Sequence, residues 1–192
     1  MTDAHVEKET LTVAVNIPQH DDRGGATPTF VKSRLVLIAR EGGRCYICGR
    51  TAEQSGHPLE GHHHPVERCF AEEIDWEMFR DDCKMGMWGP HAQAFDWNNF
   101  FDGAIPVTVT VTYPADLIDG NKETTEIYTY LHPKDIYLFV DDMTVNGELV
   151  CRDHHTVADE GKHTIPFPIW IAQRYARKGV RFSDREVIHR AV

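Results

Sequence analysis

The sequence contains no apolar run that approaches the ~20 residues needed to span a bilayer, and its first ten residues are polar. We therefore expect neither a membrane span nor a secretory signal. Internal repeats and low-complexity segments are also lacking, which excludes a repeat architecture. A chain of 192 residues, 41% hydrophobic and 26% charged, is long enough to bury one ordinary core. We expect a soluble protein with one domain, or one domain that carries an insertion.

The sequence also lacks an even number of cysteines, so its cysteines cannot all pair in disulfides within the chain. The chain has five cysteines and twelve histidines, and one cysteine pair has the Cys-x-x-Cys spacing. This composition makes a disulfide framework less probable than metal binding in a reducing compartment. We accordingly expect a cytoplasmic protein.

Positive charge is scarce, with 20 Lys and Arg against 30 Asp and Glu. The deficit lies between Val66 and Val150, where 17 acidic and 5 basic residues give a net charge of −12. Such a segment would repel a phosphate backbone. The C-terminal stretch from Arg174 to Val192 is basic, with a net charge of +4. Its basic side chains could contact DNA, or they could form one solvent-exposed face of a helix. The candidate DNA-contacting residues are Arg174, Arg177, Lys178 and Arg181.

The pattern of apolar residues predicts a mixture of helices and strands. We expect strands at 11–15, 104–113, 126–130, 136–140 and 148–151, with the second and third forming a hairpin and the last two forming a pair. The Asn146-Gly147 dipeptide is a turn signal before the last strand. Helices are predicted at 30–40, 72–84, 170–178 and 184–190.

Two short motifs have the spacing of metal ligands. Thiolates at Cys45 and Cys48 can face one ion across a tight turn, and Cys151 and His154 repeat the same spacing about 100 residues later. Together they would form the four-coordinate Cys3His set that is typical of structural zinc. Two alternatives remain open. Cys151 could be a buried core residue while Cys45 and Cys48 are a redox pair or free thiols, or the first pair could bind zinc with Cys69 and Cys83.

A second group of candidate ligands is the run His62-His63-His64-Pro65. On a strand, His62 and His64 would share one face while His63 would point the other way, so one ion cannot take all three. His155 follows the proposed zinc ligand and would point away from that zinc on a helix. This arrangement suggests a second metal site.

Three segments of the chain together resemble the HNH, or ββα-metal, endonuclease superfamily, in the zinc-containing form often found in phage genomes. RLVLIAREGGRCYICG resembles the opening helix and zinc knuckle, LEGHHHP resembles the strand with the first histidine, and NGELVCRDHH resembles the Asn-to-His signature. Eight residues separate Asn146 from His155, as in the family. The resemblance covers about residues 30–66 and 146–164.

The resemblance implies a role for each matched residue. Cys45, Cys48, Cys151 and His154 would bind structural zinc. His62 and His155 would hold a catalytic Mg²⁺, Mn²⁺ or other divalent ion, and His63 would be the general base in the hydrolysis of DNA. Asn146 would be a further catalytic residue that fixes the loop and hydrogen-bonds the base or, as in some members of the family, binds the ion.

Two details of the implied active site stay open. His62 could be the base in another register of the triplet; we prefer His63, because a His62 base would leave Gly61 at the position of a metal ligand. Glu60 and His163 are further candidates as ligands or as supporting groups.

The expected fold is α+β, with a ββα-metal core that a structural zinc holds together and a long, strand-containing acidic insertion. We divide the chain into an N-terminal segment (1–29), the zinc core (30–65 and 142–192) and the acidic insertion (66–141). The compact members of the family have a much shorter segment between the first His and the Asn. The alternative function is therefore a non-catalytic, zinc-stabilised phage-type protein whose insertion engages a protein partner or mimics DNA. A phage-encoded protein would act in the host cytoplasm.

Overall fold

The computed structural model describes residues 26–113, 123–156, 161–162 and 167–180. The expected strand at 11–15 and the expected helix at 184–190 lie outside these residues. The strands are β1 (Glu60–His63), β2 (Ile105–Tyr113), β3 (Thr124–His132) and β4 (Gly147–Val150). The helices are α1 (Pro28–Arg40), α2 (Ala52–Ser55), α3 (Trp76–Lys84), α4 (Gly89–Gln93), α5 (Trp97–Phe100), α6 (Tyr137–Val140), α7 (Arg152–Thr156) and α8 (Phe167–Arg174), with a 3₁₀ helix at Arg68–Glu73.

The described chain is a mixed α/β structure with two small antiparallel sheets. The first sheet pairs β1 with β4, in a register that places His62 opposite Glu148 and His63 opposite Gly147. Helix α7 follows β4 directly and contacts β1, while α1 packs on both strands. Strands that are more than 80 residues apart in the sequence are therefore neighbours.

Helix α1 confirms the helix predicted at 30–40. Pro28 occupies its first turn, where a missing backbone N–H costs nothing, and the Thr27 hydroxyl accepts a hydrogen bond from the Phe30 N–H at 3.1 Å. At the other end, the Arg40 guanidinium donates to the carbonyl oxygens of Thr144 and Gly147. The helix is thereby tied to the loop that enters β4.

The prediction of a strand at 136–140 is wrong, because residues Tyr137–Val140 form the short helix α6. Tyr137, Phe139 and Val140 are all buried in it, and a run that is apolar on every side does not show the alternation that separates strand from helix. The strand predicted at 148–151 exists as β4, but its partner is β1. The Asn146-Gly147 dipeptide therefore does not close a hairpin.

The second sheet confirms the predicted hairpin. β2 pairs with β3 over nine residue pairs, from Ile105 opposite His132 to Tyr113 opposite Thr124. The alternating Val and Thr residues of β2 separate the two faces of this ribbon. Val111 on one face is buried, whereas Thr108 on the other is exposed and its hydroxyl lies 2.9 Å from that of Thr129.

Two of the predicted helices begin and end differently from expectation. The helix predicted at 72–84 begins only at Trp76, because the Asp75 carboxylate accepts from the Met78 N–H and caps the first turn. Residues before this cap form the 3₁₀ helix. The helix predicted at 170–178 is α8, which ends at Arg174.

The buried apolar residues form two clusters. The smaller lies around the first sheet and includes Leu37, Leu149 and the cysteines Cys45 and Cys151. The larger gathers the aromatic residues of the acidic segment around Phe139, and α8 contributes to it; its buried aromatic members are Phe70, Trp76, Phe79, Trp97, Phe100, Tyr137, Phe139 and Tyr175. The acidic segment and the C-terminal helix α8 therefore share this hydrophobic core.

Within the described ranges, every helix is too short or too polar to cross a lipid bilayer.

Replacing Phe139 with alanine tests this core. The Phe139 ring is fully buried and lies 5.1–5.8 Å from the rings of Trp76, Phe79, Phe95 and Trp97. We expect Phe139→Ala to lower the free energy of unfolding by about 3–5 kcal/mol through lost burial and a residual cavity. Urea denaturation measures this change. The control Ile127→Ala removes a side chain that is 76% exposed, and should shift stability by no more than about 0.5 kcal/mol; equal losses in both variants would contradict the assignment.

Candidate metal centre and histidine site

The Cys45-x-x-Cys48 knuckle is a tight turn held against the first sheet. Its backbone closes through hydrogen bonds from the Gly49 N–H to the Cys45 carbonyl and from the Cys45 N–H to the Arg50 carbonyl. Gly49 has a φ of +72°, a conformation that L-residues with a Cβ rarely adopt. The Tyr46 N–H donates to the Leu149 carbonyl at 2.7 Å, which fixes the knuckle beside β4.

The other two residues of the Cys3His set, Cys151 and His154, follow β4 in the chain, and the fold brings them next to the knuckle. The ligand atoms of Cys45, Cys48, Cys151 and His154 all lie within 4.8 Å of one another. Individual separations are 3.9 Å between the Cys48 and Cys151 sulfurs, 3.7 Å from the Cys45 sulfur to His154 Nδ1, and 3.2 Å from the Cys151 sulfur to that nitrogen. This group could hold a metal ion.

These separations fit zinc. With Zn–S of about 2.3 Å and Zn–N of about 2.0–2.1 Å, a tetrahedron places two sulfurs about 3.8 Å apart and a sulfur and a nitrogen about 3.5 Å apart. A disulfide would instead need about 2.05 Å between sulfurs, and all five cysteines are free. The group is therefore consistent with a structural zinc.

The surroundings of the cysteines shift their pKa values in different directions. A hydrogen bond from the Arg50 backbone lowers the pKa of the Cys48 thiol to about 7, which favours the thiolate that binds metals, whereas burial raises that of Cys151. Burial raises the pKa of Cys69 and of Cys83 to about 12. The latter two belong to the larger hydrophobic cluster, so the alternative ligand set is not assembled.

The histidine triplet alternates across β1 as the strand period requires. His62 is buried and its Nδ1 lies 4.0 Å from a Glu148 oxygen, which His64 Nδ1 approaches to 3.7 Å. His63 points the other way: its Nδ1 lies 2.9 Å from the Val140 carbonyl oxygen, and its ring is 5.5 Å from that of Phe30. Burial lowers the pKa of His63, and it lowers that of His64 to about 4.

His155 lies over the same face of β1 as His62. The two rings meet edge to face with centroids 5.2 Å apart, and His155 Nδ1 contacts the Glu60 carboxylate. The preceding residue, His154, faces the cysteines. The fold therefore brings the predicted ion ligands His62 and His155 together, with Glu60 beside them. Among the described residues, however, only the Cys3His group has three or more ligand atoms within 4.8 Å of each other.

Three charged residues beside His62 were not identified from the sequence. Glu67 Oε1 lies 3.0 Å from His62 Nε2, Glu148 stands opposite His62 in the sheet, and the Lys162 ammonium contacts Glu148. All three are buried, and burial lowers the pKa of Lys162 to about 8. A sequence-based prediction that paired β1 with β4 would have placed Glu148 opposite His62. No sequence signal indicated Glu67 or Lys162.

Asn146 is completely buried and joins three segments of the chain. Its side-chain oxygen accepts a hydrogen bond from the Val66 N–H, and its amide nitrogen donates to the carbonyls of Val66 and Val140, each at 2.9 Å. Val140 is also the residue whose carbonyl contacts His63. Asn146 thus holds the entry and the exit of the acidic segment next to the histidine triplet.

The predicted DNA-contacting residues are paired with carboxylates. Arg174 bonds to Asp82 at 2.9 Å, Arg177 to Glu73, and Lys178 to Glu126 at 3.2 Å. These pairs reduce the positive charge available to a phosphate backbone. Arg181 and the candidate ligand His163 lie outside the described residues.

Comparisons with protein-family models, curated proteins and solved structures found no match. The site must therefore be interpreted from its own geometry.

Metal analysis of cysteine variants tests the Cys3His group. We expect about one zinc per chain in the purified protein, and a large loss of zinc in Cys151→Ser because one of four ligands is removed. Cys69→Ser should keep its metal, because Cys69 is not part of the group and packs against the larger hydrophobic cluster. Elemental analysis of both variants measures the difference. Full zinc in Cys151→Ser, or loss of zinc in Cys69→Ser alone, would contradict the assignment.

Removing the Asn146 side chain should destabilise the protein. Asn146→Ala leaves the N–H and the carbonyl of Val66 without their partner, while the Val140 carbonyl keeps its contact with His63. Each unsatisfied group costs about 1–3 kcal/mol, so we expect a loss of at least about 2 kcal/mol in the free energy of unfolding. The exposed Asn98 provides the matched control. Denaturation curves that shift equally for Asn146→Ala and Asn98→Ala would show that these hydrogen bonds contribute nothing.

Proposed function

We propose that the protein is a metal-dependent endonuclease of the HNH type, which hydrolyses DNA phosphodiester bonds. The observation that carries the proposal is the arrangement on β1. His62 meets His155 on one face of the strand, while the adjacent His63 is fixed on the other by a backbone carbonyl. The proposal is further supported by the order of the elements, since the paired strands β1 and β4 are followed by helix α7. It is also supported by the hydrogen bond from the Asn146 side chain to the Val66 carbonyl, which joins the two ends of the segment between these strands.

The Cys3His group would hold a structural zinc. It joins the knuckle after α1 to the end of β4 and the start of α7, so a bound ion would stabilise the folded arrangement of the three elements. Binding free energy of a structural zinc contributes directly to folding, because the unfolded chain has no such site. The zinc would therefore determine the position of α7, which carries His155.

His63 is suited to the role of general base. A carbonyl oxygen only accepts hydrogen bonds, so the contact with Val140 requires the proton on Nδ1 and leaves Nε2 with a free electron pair. That nitrogen can take a proton from an attacking water. The lowered pKa of His63 keeps the ring neutral near pH 7, as a base must be.

His62 and His155 are the residues that would hold the divalent ion. When bound, such an ion polarises the phosphate and stabilises the oxygen that leaves. Glu60, which contacts His155, would orient that imidazole by accepting its N–H.

Nicking of supercoiled plasmid in the presence of Mg²⁺ or Mn²⁺ tests this function. We expect His63→Ala to reduce the nicking rate by at least about 100-fold, the usual contribution of a general base. His91→Ala, which removes an exposed histidine of α4, should nick like the wild type. The proposal fails if the wild type does not nick with any divalent ion, or if both variants nick equally.

A second candidate function is a zinc-stabilised binding protein whose acidic segment engages a protein partner or mimics DNA. Two observations favour it. His62 is almost fully buried beside Glu67, and the described C-terminal cations are paired with carboxylates. This candidate predicts about one zinc per chain, no nicking, and full partner binding by His63→Ala.

A further inference from the structure

The hairpin of β2 and β3 has one edge that the rest of the described chain leaves open. Among the described residues, its sheet contains only these two strands. On the β3 side, the Leu131 N–H donates to the Glu77 carboxylate at 2.9 Å, and helix α3 contacts the strand. On the β2 side, by contrast, Thr108, Thr110 and Thr112 are exposed. The open edge of the hairpin is therefore β2.

The pairing register shows which backbone groups of β2 point outward. Because the Leu131 N–H bonds to Glu77, it points away from β2, so Leu131 and Pro106 form a non-hydrogen-bonded pair. Every second pair along the hairpin is of the same type, and side chains in such pairs lie close together. The hydroxyls of Thr108 and Thr129 are accordingly 2.9 Å apart. The β2 residues that direct their N–H and carbonyl groups away from β3 are therefore Thr108, Thr110 and Thr112.

The outward backbone groups of these three threonines have no hydrogen-bond partner among the described residues. Natural edge strands are commonly protected by lysines, prolines or bulges, which prevent a further strand from pairing. Strand β2 contains no charged residue, and its pairing with β3 continues without a bulge. Pro106 protects only one end of the strand. The remainder of the edge is suited to pairing with another strand.

The charge of the chain restricts the surfaces through which two copies can meet. With a net charge of −10, two copies repel each other wherever their acidic residues approach. The centre of β2 avoids this repulsion, because residues 107–112 are valine and threonine alone. Glu126, the carboxylate opposite Val111 in the hairpin, is paired with Lys178 at 3.2 Å. A second copy can therefore approach this edge without a like-charge contact.

The same stretch of β2 is complementary to itself in the antiparallel direction. If Thr110 lies opposite its own copy, Thr108 lies opposite Thr112 of the partner subunit. In the same register, Val109 lies opposite Val111 of the partner subunit. The outward groups of one strand then meet those of the other and form about six backbone hydrogen bonds. Threonine pairs occupy one face of the joined sheet and valine pairs the other, which are favourable cross-strand neighbours.

A cleft beside β2 has room for the valines of an added strand. Its volume is about 330 Å³, and it is lined by Val109–Thr112, Tyr130 and Arg177–Val180. Val109 and Val111 stand on the same face of the hairpin as Tyr130, so this face borders the cleft. The valines of an added strand would stand on that face too, and would enter the cleft beside the apolar side chains that already line it.

We infer that the protein forms a dimer in which β2 pairs antiparallel with β2 of a second copy, around a twofold axis at Thr110. The two hairpins then form one continuous sheet in the order β3, β2, β2, β3. This inference goes beyond the proposed function, since neither the histidines nor the Cys3His group takes part in the pairing.

Sedimentation velocity of the full chain over a range of concentrations tests the inference. We expect the wild type to dimerise. Thr110→Pro removes the central outward N–H but no hydrogen bond within the hairpin, so it should raise the dimer dissociation constant at least about tenfold. Thr129→Pro is the matched control, because Thr129 is exposed and has the equivalent outward position on the opposite edge; it should dimerise like the wild type.

A wild type that is monomeric at about 100 μM would overturn the inference, because pairing weaker than this does not form a stable dimer. Equal dimerisation of Thr110→Pro and the wild type, or equal weakening by both proline variants, would also overturn it. Circular dichroism verifies that the variants fold.

Amide hydrogen exchange of the wild type decides the question if either variant does not fold. The amides of Thr108, Thr110 and Thr112 should exchange more slowly as the protein concentration rises, because pairing between copies protects them. Exchange that is independent of concentration overturns the inference. Slow exchange in a monomer would show that another segment of the same chain covers this edge, which also overturns it.

Discussion

The antiparallel pairing of β1 with β4 is the constraint on which both sites depend. Each strand has only four residues, yet their register places His62 opposite Glu148 and brings Cys151, the residue after β4, to the knuckle. So short a pair is marginal by itself. It is supported by the packing of α1, by the hydrogen bond from Tyr46 to Leu149 and by the Cys3His group. A change that separates the strands would dismantle the metal group and the histidine site together.

The long segment between the two strands is accommodated because it builds a hydrophobic core together with α8. Its aromatic side chains pack around Phe139, and α8 closes that cluster. Closing a long loop costs only slightly more entropy than closing a shorter one, since the cost grows with the logarithm of length. Asn146 then fixes the two ends of the segment near each other through Val66 and Val140. One of these ends also supplies the carbonyl that orients His63, so the segment contributes to the geometry of the triplet.

The electrostatics of the histidine site differ on the two faces of β1. On the face of His63, the neighbours are a carbonyl and an aromatic ring, and burial keeps the imidazole neutral. On the face of His62, the neighbours are carboxylates with one buried ammonium. Alternation of side chains along a strand is what allows adjacent histidines to have such different surroundings. The proposed nuclease function would use this difference, with His63 as the base on one face and the ion held on the other.

The sequence by itself determined the elements whose signals are local. Regular spacing at Cys45/Cys48 and Cys151/His154 identified the four residues of the Cys3His group, the apolar periodicity identified α1, and the Val/Thr alternation identified β2. Only the tertiary structure decided which segments pair and which side chains meet. The pairing of β4 with β1, the helix at 137–140 and the return of Glu67 and Lys162 to His62 depend on contacts between distant segments. Local patterns carry no information on such contacts, because a strand or a buried charge is specified by what packs against it.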